Sequence, residues 1–397
     1  MTRVTISDHF CWHPDTRVFS RGQRIDLSPN GTSDLDLLFR MVTGEAPFEV
    51  TASGIKQLPP EGALPYFQCA TGGSTGTPKS VRRSQHSWVL SFEVNQARFG
   101  FASDDGFAVL GELVHSLALY GVLEAAHIGA DIHFLAGMRP DRQRAHIEKY
   151  GVSVLYATPT QLRVLCACSG RPLPLRHILC GGGALTAELR AQVLSACPDA
   201  TLSEFYGASE TSFITLADAQ TPNGSVGRAY PGVQLRIEAP DPSGCGEVWV
   251  NSPYLFESYA LGHSADTRWQ NGFLTVGEMG HLDPQGYLFL RGRKNRMVTI
   301  ADQNVFPEEI EAMLLADPLI AHCAVLPVPD GIRGHVLVAV VAGPDDPNWS
   351  QQTLKRCRAL LGPVKAPRRI HRHPDFPLLP SGKPDILALA HWLETTK

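Results

Sequence analysis

Nine consecutive residues, Thr71-Gly72-Gly73-Ser74-Thr75-Gly76-Thr77-Pro78-Lys79, concentrate the groups that could hold an anion. Three glycines let the backbone turn where a Cβ would clash, so that successive N–H groups can face one ligand. Four hydroxyls add donors and Lys79 adds a positive charge. Such a loop suits a polyphosphate and points toward ATP. It is not a Walker A loop, which needs lysine directly after glycine at the start of a helix. Here Thr77 and Pro78 intervene, and Pro78 has no N–H to donate.

The loop follows the run Tyr66-Phe67-Gln68-Cys69-Ala70. From about residue 66 to 235, apolar runs alternate with amphipathic patterns. Residues 152–156 and 176–180 read as buried strands. Residues 187–196 read as a helix with Leu189, Val193 and Leu194 on one face. This alternation predicts an α/β fold, a parallel sheet covered by helices. Ligands then bind at the carboxyl ends of the strands, and residues 71–79 are expected at such an end. Residues 1–65 carry only weak periodicity. Between 236 and 292, short alternating strands separated by Pro, Gly and Asp predict a small β subdomain. Beyond Asn295, a helix (307–316), strands (324–328 and 335–342) and another helix (351–361) predict a small α+β unit. The expected division is 1–294, a large N-terminal region, and 295–397, a small mobile C-terminal domain.

Composition excludes several classes. The 397 residues carry a net charge of −4, with 43% hydrophobic and 19% charged residues, so no basic surplus argues for nucleic acid or an acidic membrane. The first residues lack the apolar core of a signal peptide, and no apolar run approaches membrane-spanning length, so a cytoplasmic location is expected. The nine cysteines are odd in number and lack a Cys-x-x-Cys pair, which fits reduced thiols. Cys166 and Cys168 lie in the apolar pattern of Leu162, Val164 and Leu165 and are expected to be buried thiols rather than metal ligands.

From about Tyr66 to Asp385 the chain resembles the adenylate-forming superfamily of acyl-CoA synthetases, aryl-acid ligases, peptide-synthetase adenylation domains and luciferases. Residues 71–79 resemble its phosphate loop. Gly181-Gly182-Gly183-Ala184-Leu185 resembles the adenine-site segment, and Tyr206-Gly207-Ala208-Ser209-Glu210 its Tyr-Gly-x-Thr-Glu. Gly277-Glu278, Gly292-Arg293, Pro307-Glu308-Glu309-Ile310-Glu311 and Pro380-Ser381-Gly382-Lys383 follow in the family's order. The resemblance implies that a carboxylate attacks the α-phosphorus of ATP, that pyrophosphate leaves, and that the acyl adenylate is passed on, commonly to a thiol. Such catalysis needs alignment of two anions and neutralisation of phosphate charge.

By resemblance, Thr71, Gly73, Ser74, Thr75, Gly76 and Lys79 would hold the β- and γ-phosphates. Gly181, Gly182 and Gly183 would let adenine lie against backbone, with Tyr206 stacking on it beside Gly207. Ser209 could reach the α-phosphate, and Glu210 would ligate Mg²⁺. Glu278 would meet the ribose hydroxyls, and Arg293 the ribose or phosphate. Asn295 stands where the C-terminal domain swings. Lys383 would bridge the substrate carboxylate and the α-phosphate. His115, within Leu113–Gly121, matches the gate of the acyl pocket. No aspartate for a substrate ammonium is evident among Glu112, Leu113 and Val114, and Ser116 replaces an asparagine of ligases for ortho-hydroxylated aryl acids. An apolar acyl or aryl acid is therefore expected. The expected cofactors are ATP and Mg²⁺, with CoA, a carrier protein or an amine as acceptor; a homodimer is compatible. A non-catalytic nucleotide-binding regulator on the same fold is the other reading, and the presence of Lys383 and Glu210 counts against it.

Four departures stand out. Only 70 residues precede the phosphate loop, so part of the N-terminal region is trimmed. Glu278 replaces an aspartate. Thr299 stands where a lysine is common. Asp302 stands for a glycine that lets a pantetheine arm pass, which weakens the case for CoA specifically.

Overall fold

The computed structural model describes residues 7–62, 65–71, 79–183, 185–301, 303–331, 334–379 and 383–395. Its largest sheet has nine strands. Six neighbours run parallel, in the order Thr201–Ala208, His177–Cys180, Val154–Ala157, Gly106–Val109, Asp131–Phe134 and Val18–Ser20, with antiparallel strands at both edges. The inner strands are buried on both faces, which is why they read as continuous apolar runs. Side chains alternate between two cores. Phe107, Val109, Val154, Tyr156 and Leu179 pack on one face with the helix Ser116–Ile128. Ala108, Leu155, Ala157, Ile178 and Cys180 pack on the other, with Leu162, Leu165, Leu189 and Val193 from the helices Pro159–Cys166 and Ala187–Ala196.

The strand Tyr66–Thr71 is not part of this sheet, contrary to the expectation from the alternating pattern. It lies in a five-stranded mixed sheet, antiparallel to Lys79–Ser84 and parallel to Phe48–Thr51. Residues 71–79 thus join two strands of a hairpin instead of a strand and a helix. Tyr66, Phe67 and Cys69 are buried, so the local pattern is that of any core strand. The weakly periodic first 65 residues supply two strands of this sheet and two of the large one. They also hold the helix Asp34–Thr43, started by a Ser33/Asp36 capping box.

Residues 234–293 form the six-stranded sheet expected of the β subdomain. The following hairpin, Val298–Ile300 with Gln303–Val305, begins a separate core built on Ile300, Val305, Ile310, Leu314, Val325, Leu337 and Val341. That core belongs to the helix Pro307–Leu315, the antiparallel strands His322–Asp330 and Gly334–Ala342, and a long helix, Pro347–Lys365, broken at Gly362 (φ 78°). Four residues depart from expectation. Val164 and Leu194 face solvent, and Cys166 and Cys168 are half-buried. An 8- or 10-residue helix packed on one face leaves such positions outward.

Candidate active site

A cavity of about 570 Å³ opens where the three sheets and the C-terminal residues meet. Its wall gathers most of the candidate residues: Thr71, Lys79, His115, Gly181, Gly182, Gly207, Ser209, Glu210, Arg293 and Lys383. Thr71 and Lys79 are Cα partners that end and begin the hairpin strands. Gly73, Ser74, Thr75 and Gly76 lie outside the described residues. Gly183, Tyr206 and Glu278 are not among the lining residues.

The carboxyl ends of adjacent parallel strands supply one side of the wall. After Cys180 the chain turns through Gly181 and Gly182. A Cβ on Gly181 would sit 2.2 Å from the Phe205 ring, and Gly182 has φ +85°, so both positions require glycine. Thr158, which caps the helix Pro159–Cys166, lines the same edge.

The next strand ends in a tight turn that presents Ser209 and Glu210. Gly207 admits the Ser212 carbonyl where a Cβ would clash. Thr211 is fully buried, and its hydroxyl accepts the Ala208 N–H at 3.0 Å. The turn's carbonyls are held from below: Arg83 donates to the Ser209 oxygen at 2.7 Å, and the Phe256 N–H to the Glu210 oxygen at 2.8 Å. Glu210 accepts from the Tyr259 hydroxyl at 2.7 Å, and Tyr259 also meets the Thr267 hydroxyl at 2.8 Å. Among the described residues no ion pair neutralises the Glu210 carboxylate. An oxygen ligand left open to the cavity suits a hard cation such as Mg²⁺.

Arg83 was not anticipated. It is fully buried and donates to the Tyr254 carbonyl at 3.1 Å as well as to Ser209, while its Nε has no partner. Burial pulls its guanidinium down to about 10, against the opposing pull of Cys69 and Glu210. The same enclosure pushes the Cys69 thiol up to about 11. Nothing but the arginine pair at 82–83, directly after the loop, marked it in the sequence.

Glu278 and Arg293 face each other across the strand pair Glu278–Leu282 and Leu288–Arg293, with an ion pair of 3.0 Å. Burial raises the Glu278 carboxyl above the usual range, and Arg293 opposes the shift. Glutamate therefore reaches Arg293 and holds it at the cavity wall. Lys383 also lines the cavity; its backbone carbonyl accepts from the Leu379 N–H at 2.8 Å. Enclosure and Arg293 pull its ammonium below the usual lysine range, while Glu278 and Glu210 pull the other way. Lys383 and the Glu278-paired Arg293 share the cavity wall with Glu210, so cations there can meet a polyanion.

Part of the cavity wall is apolar. Val114, Leu117, Trp88, Tyr120, Phe205 and Phe213 line it, and His115 stands exposed at the start of the helix Ser116–Ile128. The Ser116 hydroxyl meets that of Ser209 at 3.3 Å, so it links this helix to the Ser209–Glu210 turn.

Residues 28–260 match the AMP-binding enzyme family, and residues 309–383 match the AMP-binding enzyme C-terminal domain. The chain belongs to this family. It is an AMP-forming ligase. A relative, the uncharacterized acyl-CoA ligase YhfT of Bacillus subtilis, is 33% identical over 87% of this chain and 72% of its own length. Among solved structures, ATP-bound MatB from Rhodopseudomonas palustris superposes with a TM-score of 0.74 at 23% identity, over 85% of this chain and 70% of that one. MenE from Bacillus subtilis, with ATP and a magnesium ion, gives 0.73 at 22% identity, over 90% and 82%. These two likenesses concern the fold. Among the described residues no helix is long and apolar enough to cross a membrane.

Proposed function

We propose that the protein activates an apolar acyl or aryl carboxylate with ATP, releasing pyrophosphate, and passes the acyl group to a thiol, CoA in the first instance. The observation that carries this reading is the single cavity in which Glu210, Arg293 and Lys383, from distant parts of the chain, face an apolar compartment. The phosphates would meet Thr71, Lys79 and the hairpin residues Gly73, Ser74, Thr75 and Gly76. Adenine would lie along Gly181, Gly182 and Gly183, with Tyr206 behind. Ser209 would meet the α-phosphate, and Arg293, held by Glu278, the ribose or phosphate. Mg²⁺ would be held at Glu210 and would supply charge neutralisation at the phosphates. Lys383 would hold the attacking carboxylate against the α-phosphate, a contact made mainly in the transition state. His115 would close the acid's entry.

In this reading the boundary falls at 294/295, and the C-terminal domain moves about Asn295, whose amide donates to Asp266 at 2.7 Å. A cytoplasmic location and a homodimer belong to the same reading and are open to fractionation and sedimentation. Incubating the protein with ATP, Mg²⁺ and a broad acid panel, with pyrophosphate as readout, tests the first step. Acid-dependent release is expected; no release with any acid leaves a nucleotide-binding regulator. Adding CoA, a carrier protein or an amine, with mass detection of product, tests the second. A carrier thioester or an amide without acyl-CoA would replace CoA as acceptor; Asp302, the residue that bears on this choice, lies outside the described residues.

A further inference from the structure

The apolar part of the cavity wall is made of rings whose positions are fixed from behind. Trp88, Tyr120 and Phe213 line it, yet each is only 4% exposed. Trp88 meets Tyr120 edge-on with centroids 5.0 Å apart, and Tyr120 meets Phe213 edge-on at 5.2 Å. Edge-to-face rings present both π faces and hydrogen-bearing edges to whatever lies against them.

Behind Tyr120 lies a buried polar tier. Its hydroxyl meets the Ser91 hydroxyl at 2.8 Å and accepts from the Asn95 amide at 3.1 Å. Asn95 also donates to Glu124 at 2.8 Å, and its oxygen accepts from Tyr230 at 2.7 Å. The Tyr156 hydroxyl donates to the other Glu124 oxygen at 2.5 Å. Ser91, Asn95 and Glu124 are completely buried. The tier stitches the helices His86–Phe99 and Ser116–Ile128 to the strand Val154–Ala157. Swinging Tyr120 aside would cost its hydroxyl both partners, and a buried hydroxyl is costly to leave unpaired; Ser91 would keep the Trp88 carbonyl and Asn95 would keep Glu124. A leucine or phenylalanine floor could rotate away at little cost; this tyrosine cannot.

We propose that the acid is a short planar one, an aromatic carboxylic acid, and that Tyr120 sets the depth limit that excludes long straight chains. This rests on reading the cavity as a carboxylate-activating site. A ring can lie among the faces of Trp88, Phe205 and Phe213 with its carboxylate toward Lys383. A long acyl chain needs depth beyond Tyr120, where the tier stands.

The test is pyrophosphate release with ATP and Mg²⁺ across benzoic, cinnamic and straight-chain acids of four to sixteen carbons. It is run on the full chain and on Tyr120→Phe and Tyr120→Ala, with circular dichroism as a check on folding. Aromatic acids are expected to exceed dodecanoate and hexadecanoate in kcat/KM by about tenfold or more, the scale set by poorly fitting methylenes. Tyr120→Phe, which frees the ring from Ser91 and Asn95, is expected to narrow that ratio. Tyr120→Ala, if folded, is expected to shift the straight-chain optimum to longer acids. Hexadecanoate turned over as well as the aromatic acids by the unaltered protein overturns the inference, whatever the variants do. An unchanged ratio in folded Tyr120→Phe together with an unmoved optimum in folded Tyr120→Ala removes Tyr120 from it. Turnover of no acid overturns the proposed function itself, which distinguishes the two failures.

Discussion

The two sides of the cavity are built by different rules. The proposed nucleotide side is assembled from residues far apart in the chain, Thr71, Gly181, Glu210, Arg293 and Lys383, each on a turn or strand end. Glycines there are required by close approach or positive φ, and the charges stand open. The proposed acyl side is assembled from rings on two helices and two strands, backed by a buried hydrogen-bond tier. The first side is a set of positions offered to a ligand. The second is a piece of core with one face removed. Mutations at the first should therefore change chemistry and leave the fold alone, whereas mutations at the second should change both.

The largest expected effect probes the first half of that contrast. Lys383→Ala should lower acid-dependent ATP–pyrophosphate exchange on the order of 10²–10³-fold. ATP binding by calorimetry and the melting temperature should stay close to those of the unaltered protein. Near-normal exchange would remove Lys383 from the transition state. Arg83 joins the two sides, because it supports the Ser209 turn and packs 5.5 Å from the Trp88 ring. Arg83→Met should cost about 1–3 kcal/mol in denaturant unfolding, by leaving the Ser209 and Tyr254 carbonyls without their donor. It should also weaken the dependence of turnover on Mg²⁺ concentration, through Glu210. Lost stability with an unchanged Mg²⁺ response would make Arg83 part of the core alone.

Glu124 probes the second half. Burial pushes its carboxyl up to about 8, against the hydrogen bonds of Tyr156 and Asn95. Between its ordinary value and about 8, the folded protein keeps a proton there that the unfolded chain has lost. Stability must then fall as pH rises through that window, at up to about 1.4 kcal/mol per pH unit for one proton. Glu124→Gln keeps a hydrogen-bonding amide and removes the titration. Melting curves from pH 5 to 8 should flatten in the variant; identical slopes in both proteins would mean the acid is not held neutral. The smallest effect returns to the nucleotide side. Glu278→Asp shortens the arm that holds Arg293 and should change the KM for ATP by no more than about fivefold, near 1 kcal/mol, with kcat little changed. A collapse of kcat would give Glu278 a part beyond holding Arg293.

The same contrast governs what could be read from the sequence. Thr71, Lys79, Gly181, Gly182, Ser209, Glu210 and Lys383, which the fold gathers at the cavity, stood out in the sequence because close approach to backbone demands glycine and because polar and charged side chains on loops are conspicuous. The helix Ala187–Ala196 and the strand Gln234–Glu238 were legible through their periodicity. Trp88 and Phe213 were not, since a ring that lines a cavity and a ring that fills a core obey the same pattern; Tyr120 was marked only as part of the segment Leu113–Gly121, which resembles the family's acyl-pocket lining. Asn95 and Glu124 carry no mark in the sequence; only the fold brings them together behind Tyr120. The strand Tyr66–Thr71 was assigned to the wrong sheet because a buried strand carries no mark of its neighbour. Glu278 looked like a misfit for the ribose, and its partner Arg293 is what gives the longer side chain its place.

The strand Leu288–Arg293 and the turn after it carry arginines that face in different directions. Arg293 pairs with Glu278 on the near side of Asn295. Arg296, past it, pairs with Glu311 at 2.6 Å and Glu308 at 3.3 Å. Arg291 reaches across to Glu309 at 2.5 Å, and the Arg293 N–H reaches Glu308 at 3.3 Å. A swing about Asn295 would leave Arg293–Glu278 and Arg296–Glu311 whole and would part Arg291 from Glu309. The catch between the two halves is thus ionic and partly open to solvent, where dissolved ions compete with it. Were the C-terminal domain to swing about Asn295 as proposed, ionic strength would be a dial on the rate at which the halves separate, independent of the dial it turns on ATP.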